Sequence, residues 1–145
     1  TTSTPDVTIT MSCNYALGCT LKVKDTGDFA TNPGLHSTDS ADFIGSADSS
    51  YDDTATLVAG TEGYGIQAVT NATGTGGILT IYSRFDHSAT STVGGLEVSD
   101  VDVSSSTTAI AGKETVIKHK AAISGLTEAA TDYADVLTYS CIGNT

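Results

Sequence analysis

Positive charge is scarce in this sequence. Lys and Arg together number six, Arg84 being the single arginine, against 17 Asp and Glu, for a net charge of -11. That balance argues against nucleic acid as a partner, because phosphate recognition draws on clustered Lys and Arg. Tryptophan is absent, aromatic residues make up 6% of the chain, and there is one methionine. No apolar run nears the roughly 18–20 residues that cross a bilayer, so no membrane insertion of the mature chain is expected. The spacings of familiar chemistry are missing as well. His36, His87 and His119 lie far apart, and no HxH, HExxH or CxxC pattern supports zinc or copper. Without CxxCH there is no attachment point for a c-type haem. No Gly-x-Ser-x-Gly occurs, and Gly74-Thr75-Gly76-Gly77 lacks the Lys-Ser/Thr of a phosphate loop. No catalytic residue is assigned, and the chain is not expected to be an enzyme.

What is present favours a pleated sheet. The 145 residues suit one domain, and apolar residues at 39% provide one modest core. Threonine numbers 25 and serine 16, and Val and Ile are frequent, which fits strands better than helices. Alternation is the dominant period. Val7, Ile9, Met11 and Cys13 share one face, opposite Thr8, Thr10 and Ser12; Cys19, Leu21 and Val23 do the same against Thr20, Lys22 and Lys24. Asn14 to Gly18 joins these two runs, either as a hairpin or as a link between neighbouring sheets. Further strands are expected at 54–58, 63–70, 78–82, 96–103, 107–111, 114–123 and 133–142. Such runs, punctuated by Gly, Asn, Asp and Ser, predict an all-β fold: one Ig-like or jelly-roll-type sandwich of about 8–10 short strands.

Residues 25–53 depart from this rhythm. They hold seven aspartates, a Pro-Gly pair and few apolar anchors, and they read as one long irregular loop with a helical turn near 37–44. Asp39, Asp42, Asp48, Asp52 and Asp53 supply oxygen ligands of the kind calcium takes, although no EF-hand spacing is present. Ca2+ is the one cofactor with any basis here, and a solvated acidic loop is the simpler reading. Asn71-Ala72-Thr73 is an N-glycosylation sequon in a predicted surface turn.

Cys13, Cys19 and Cys141 all fall on the apolar faces of their strands. Three cysteines in a small acidic chain suit an oxidising compartment and allow one internal pair. A bond to Cys141 closes a loop of over 120 residues and contributes about 4–5 kcal/mol in the chain-entropy account. Such a pair is favoured, with Cys19 slightly ahead of Cys13, over a Cys13–Cys19 bond or three reduced thiols.

The first 12 residues read as a strand of their own and residues 13–145 as the sandwich domain. Val7, Ile9 and Met11 form either an ordinary first strand or a donor strand that completes the sheet of the next copy. An extended segment of 11 residues reaches about 36 Å, enough to cross into a neighbour. Strand addition satisfies an open sheet edge, and a head-to-tail contact of this kind propagates without closing. The alternating strand in TTSTPDVTITMSC and the closing run ISGLTEAATDYADVLTYSC resemble secreted fibre and pilin-like subunits of prokaryotes, such as donor-strand pilins and TasA/camelysin-type matrix fibre proteins. That resemblance, at the chain ends only, implies an extracellular structural role after removal of a signal peptide. It also implies identical subunits as partners in a helical homopolymer, and no catalysis. The alternative is a secreted carbohydrate- or surface-binding adhesin module, calcium-stabilised or not, using the 25–53 loop with Tyr51, Tyr64 and Tyr82.

Overall fold

A computed structural model of the chain describes residues 2–3, 6–26, 32–38, 42–127 and 130–145. Among these there is no helix. The strands, in chain order, are β1 (Thr2–Ser3), β2 (Val7–Cys13), β3 (Cys19–Asp25), β4 (Gly34–His36), β5 (Phe43–Gly45), β6 (Thr54–Thr56) and β7 (Gly63–Asn71). They continue with β8 (Thr75–Gly76), β9 (Leu79–Ile81), β10 (Thr92–Gly94), β11 (Val101–Ser106), β12 (Ile110–Ala122) and β13 (Leu137–Gly143). The fold is an all-β sandwich.

The first sheet is built around β12. Along one side it carries β2 and, further on, β1; along the other it carries β8 and β7, with β10 and β6 beyond. The second sheet runs β13-β3-β11-β9, and β4 pairs with β5 as a small separate hairpin. All ladders between named strands are antiparallel. The link 14–18 therefore joins two sheets, the second of the two readings its sequence allowed.

The period-2 pattern of β3 explains its place. Cys19, Leu21 and Val23 are buried, while Lys22 and Lys24 turn outward. They meet Ile66 and Ala68 of β7 and Ile117 of β12 from the facing sheet, with Val103 of β11 beside them. Phe85 and Leu96, from the connections on either side of β10, fill the remaining space, both fully buried. Burying a Leu, Ile or Phe contributes about 1.5–3 kcal/mol. A buried polar bond joins the two sheets across this interior: the hydroxyls of Ser104 (β11) and Thr115 (β12) lie 2.8 Å apart.

Several boundaries differ from those expected. The runs at 107–111 and 114–123 form one strand, β12, whose register shifts between Ile110 and Lys113; Gly112 takes up the bulge at φ 66°. The expected strand at 96–103 starts at Val101, because Leu96 is used as a core plug and Glu97 pairs with Arg84 at 2.7 Å. The last strand begins at Leu137, and Tyr133–Val136 instead runs past β4, where Ala134 exchanges both backbone bonds with His36. The 25–53 stretch is not one irregular loop, since β4 and β5 lie within it. The helical turn expected near 37–44 lies in part outside the described residues; at its far end Phe43–Gly45 is extended, and the Phe43 ring stacks on His36 at 4.6 Å.

Candidate functional site

The two ends of the sandwich differ in chemistry. At one end a groove of about 560 Å³ opens between the sheets. Its apolar lining includes Leu35, Ile44, Tyr133, Leu137 and Tyr139, and Val7 stands at its edge. The groove exists because the outermost strands of the two sheets, β2 and β13, are not joined to each other along this side. Val7 remains 39% exposed, Ile9 is half-buried and Met11 is buried. The three predicted donor-strand residues thus grade from an open end to a packed one. Within the single chain β2 is paired with its own β12, Val7 opposite Ile117 and Met11 opposite Lys113.

Two carboxyl groups meet beneath the groove, whose lining also includes Lys120 and His119. Asp25, the last residue of β3, is buried and accepts the Gly34 N–H at 2.8 Å, which anchors β4. Beside it lies Asp135, whose two carboxylate oxygens are out of solvent with no well-formed hydrogen bond, as is the hydroxyl of Tyr139. Burial, followed by the neighbouring Asp25 carboxylate, pushes the Asp135 carboxyl up to about 7. Burial and the charge of Asp135 likewise raise the Tyr64 and Tyr139 phenols above their ordinary range. His119 is lowered by burial, with Asp6 pulling the other way. Sequence reasoning did not find this group. Its one signal was Asp135, which interrupts the apolar face of the closing run.

The opposite end carries the cysteines. Cys13 and Cys19 form a disulfide, Sγ to Sγ 2.34 Å, and Cys141 is free and exposed. This corrects the expected pairing with Cys141. The reason is register: Cys19 lies opposite Gly143, while Cys141 lies two residues on, opposite Leu21. The bond spans the crossing from β2 to β3 and so staples the two sheets together. Burial raises the Cys141 thiol above its usual value.

The segments that meet around this disulfide carry no charged side chain. Residues 12–21, 74–83, 103–112 and 138–145 include no Asp, Glu, Lys, Arg or His. They are brought together by Cys13 opposite Ile110, Ile110 opposite Gly76, and the Asn144 side chain bonded to Leu17 O and Ser106 O at 3.0 Å each. Comparison with protein-family models, curated proteins and solved structures finds no match.

The remaining predicted residues do not converge. Asp48 is occupied within its own turn, accepting the backbone N–H of Asp53 at 2.9 Å and the Ser50 hydroxyl at 3.1 Å. Burial pushes its carboxyl up, but these bonds outweigh that and leave it lowered. Asp53 caps the Thr54 N–H at 2.8 Å, and Asp39 lies outside the described residues. Asp42 and Asp52 join them in no metal-holding cluster, and no such cluster occurs among the described residues. Asn71 is exposed at the end of β7, where its side-chain amide donates to Glu114 at 2.9 Å. Tyr64 is almost completely buried, which removes it as a sugar platform; Tyr51 is half-buried at φ 66° and Tyr82 is exposed.

Proposed function

We propose that this chain is a structural subunit of an extracellular filament or pilus-like surface assembly, joined head to tail to identical copies by donation of its N-terminal strand. One observation carries this reading. The segment with Val7, Ile9 and Met11 is an edge strand held by a single neighbour, and it runs beside an open apolar groove. Exchanging it between copies remakes the same ladder to β12 across a subunit boundary, so the exchange costs little in contacts and is driven by concentration. The Cys13–Cys19 bond fixes the point about which residues 1–11 pivot. Alternate apolar side chains supply the anchors, and an acidic surface keeps the unassembled chain soluble. Export precedes assembly, since the disulfide needs an oxidising compartment.

The test compares the wild-type chain with two variants by electron microscopy and sedimentation. Deletion of residues 1–11 is expected to leave soluble monomers. Because that deletion also removes buried Met11, a second variant locks the strand in place: Thr10→Cys with Glu114→Cys bridges cross-strand partners on β2 and β12. The locked chain is expected to stay monomeric while each single variant assembles. Filaments from the locked chain would overturn strand donation.

A further inference from the structure

One wall of the groove is a unit apart from both main sheets. The β4–β5 hairpin and the strap Asp132–Asp135 are bonded to each other. His36 and Ala134 exchange backbone bonds at 2.9 Å each, and Asp132 accepts the Ser37 hydroxyl at 2.7 Å and the Thr38 hydroxyl at 2.6 Å. Together they bring Leu35, Ile44, Tyr133 and Ala134 to the groove. Backbone ties hold the ends of this unit to the sandwich: the Ala47 N–H to Tyr64 O at 2.9 Å and the Thr26 N–H to Val136 O at 2.7 Å. Between those ties two carboxyls stand at the seam. Asp25 accepts the Gly34 N–H of the hairpin, and Asp135 of the strap turns in beside Asp25 and Tyr64.

Asp135 is the weak point of that seam. Both of its oxygens are out of solvent with no well-formed hydrogen bond. Once ionised, it is a charge that neither water nor a donor stabilises. The groups around it do not neutralise it. Asp25 of β3 is a like-charged neighbour. Tyr64 of β7 and Tyr139 of β13 are phenols that burial, with the charge of Asp135, keeps protonated. His119 of β12 lines the groove, but burial lowers it against the pull of Asp6, so it is neutral at pH 7. Lys120 on the same lining donates to Thr90 O at 2.6 Å, and Lys24 of β3 turns to the outer face. On the wall itself, the His36 Nε2 lies 3.0 Å from Asn32 O, and Asp132 is a further carboxyl.

We infer that the β4–β5 hairpin and the strap form a proton-operated wall: with Asp135 protonated it is shut against the sandwich, and loss of that proton swings it outward about Ala47 and Val136 and opens the groove. The sign follows from the two environments. Swung out, Asp135 meets water and ionises near its ordinary 3.8; shut in, it holds its proton up to about 7. Acid therefore favours the shut wall, and the open population grows as pH rises between those values and levels off above them. Each unit of separation is tenfold in the equilibrium. Opening uncovers Leu35 and Ile44, so the groove is a wide apolar site in neutral solution and a closed one in acid. This inference concerns the single chain and does not rest on strand donation.

Hydrogen exchange of the unassembled chain at pH 4, 6 and 8, corrected for the intrinsic rate at each pH, tests it. The Gly34, His36 and Ala134 amides are expected to lose protection at least about tenfold from pH 4 to pH 8. At pH 8 they should be at least about a hundredfold less protected than the β7–β12 ladder. Their exchange should also respond little to 1 M urea, because a local opening exposes little surface. Asp135→Asn is expected to abolish the pH dependence. Asp25→Asn, which keeps an acceptor for the Gly34 N–H but removes the like charge, is expected to move it to lower pH. Wall protection that is constant with pH, a fall that persists in Asp135→Asn, or wall amides that exchange only together with the β7–β12 ladder each overturns the inference. Should Asp135→Asn not fold, an unmoved pH dependence in Asp25→Asn overturns it instead.

Discussion

Asp135 is the carboxyl group whose ionisation the fold raises most among the described residues. Its carboxyl ionises near 3.8 in an ordinary setting and is pushed up to about 7 by burial and by Asp25. Between these values the folded chain keeps a proton that the unfolded chain has released. Stability is therefore full below about pH 4 and declines as pH rises through about 7. Asp135→Asn removes the ionisation, and it is expected to exceed wild type by about 1–2 kcal/mol at pH 8, after allowance for screening at a partly exposed site. Near pH 4 the two should coincide. Urea denaturation at the two pH values checks this, and a less stable variant at pH 8 would show that the buried charge is compensated. Cys141 makes a second prediction at this scale. Ellman's reagent should titrate one thiol per native chain, and none after Cys141→Ser, because Cys13 and Cys19 are bonded.

At the scale of elements, the disulfide joins β2 of the first sheet to β3 of the second. It closes a short loop, its cysteines six positions apart, and contributes about 2 kcal/mol by chain entropy. Cys13→Ser with Cys19→Ser is expected to lower stability by that amount and to speed amide exchange in β2 more than in β7, as hydrogen exchange can measure. Strands β2 and β3 were legible because Thr, Ser or Lys alternates with apolar residues over about seven positions, and β7 because Tyr64, Ile66 and Ala68 recur at every second place, enough to fix a face. Strands β4, β5 and β10 were not, being three residues long and containing or flanking glycine, so no period develops. The two expected runs around Gly112 looked separate because a bulge breaks the alternation without breaking the strand. The candidate site was less visible still. Which cysteine meets Cys19 depends on the register of β13 against β3, and the groove depends on which strands are left at the edges. Both are set by pairings between distant segments.

For the whole molecule, the distribution of charge matters more than its total. The four segments that meet at the disulfide end carry no Asp or Glu, so the other described carboxylates lie elsewhere on the molecule. For the filament proposed above, screening should assist association: raising salt from about 20 to 150 mM shortens the Debye length from roughly 20 Å to 8 Å and weakens repulsion between acidic copies. The critical concentration for assembly is expected to fall over that range, as sedimentation would register. A contact held by ion pairs would move the other way.

The two sheets also set how the molecule bears load. β2 enters at the groove end and β13 leaves at the disulfide end, so tension applied at these strands runs parallel to both. The ladders β2–β12 and β3–β13 are then sheared, with their bonds sharing the force, rather than peeled open one at a time. Should β2 slip, the covalent link from Cys13 to Cys19 passes the pull straight into the second sheet. A chain of such units would stretch little before it failed, and reducing its one internal bridge would turn a stiff cable into an extensible one.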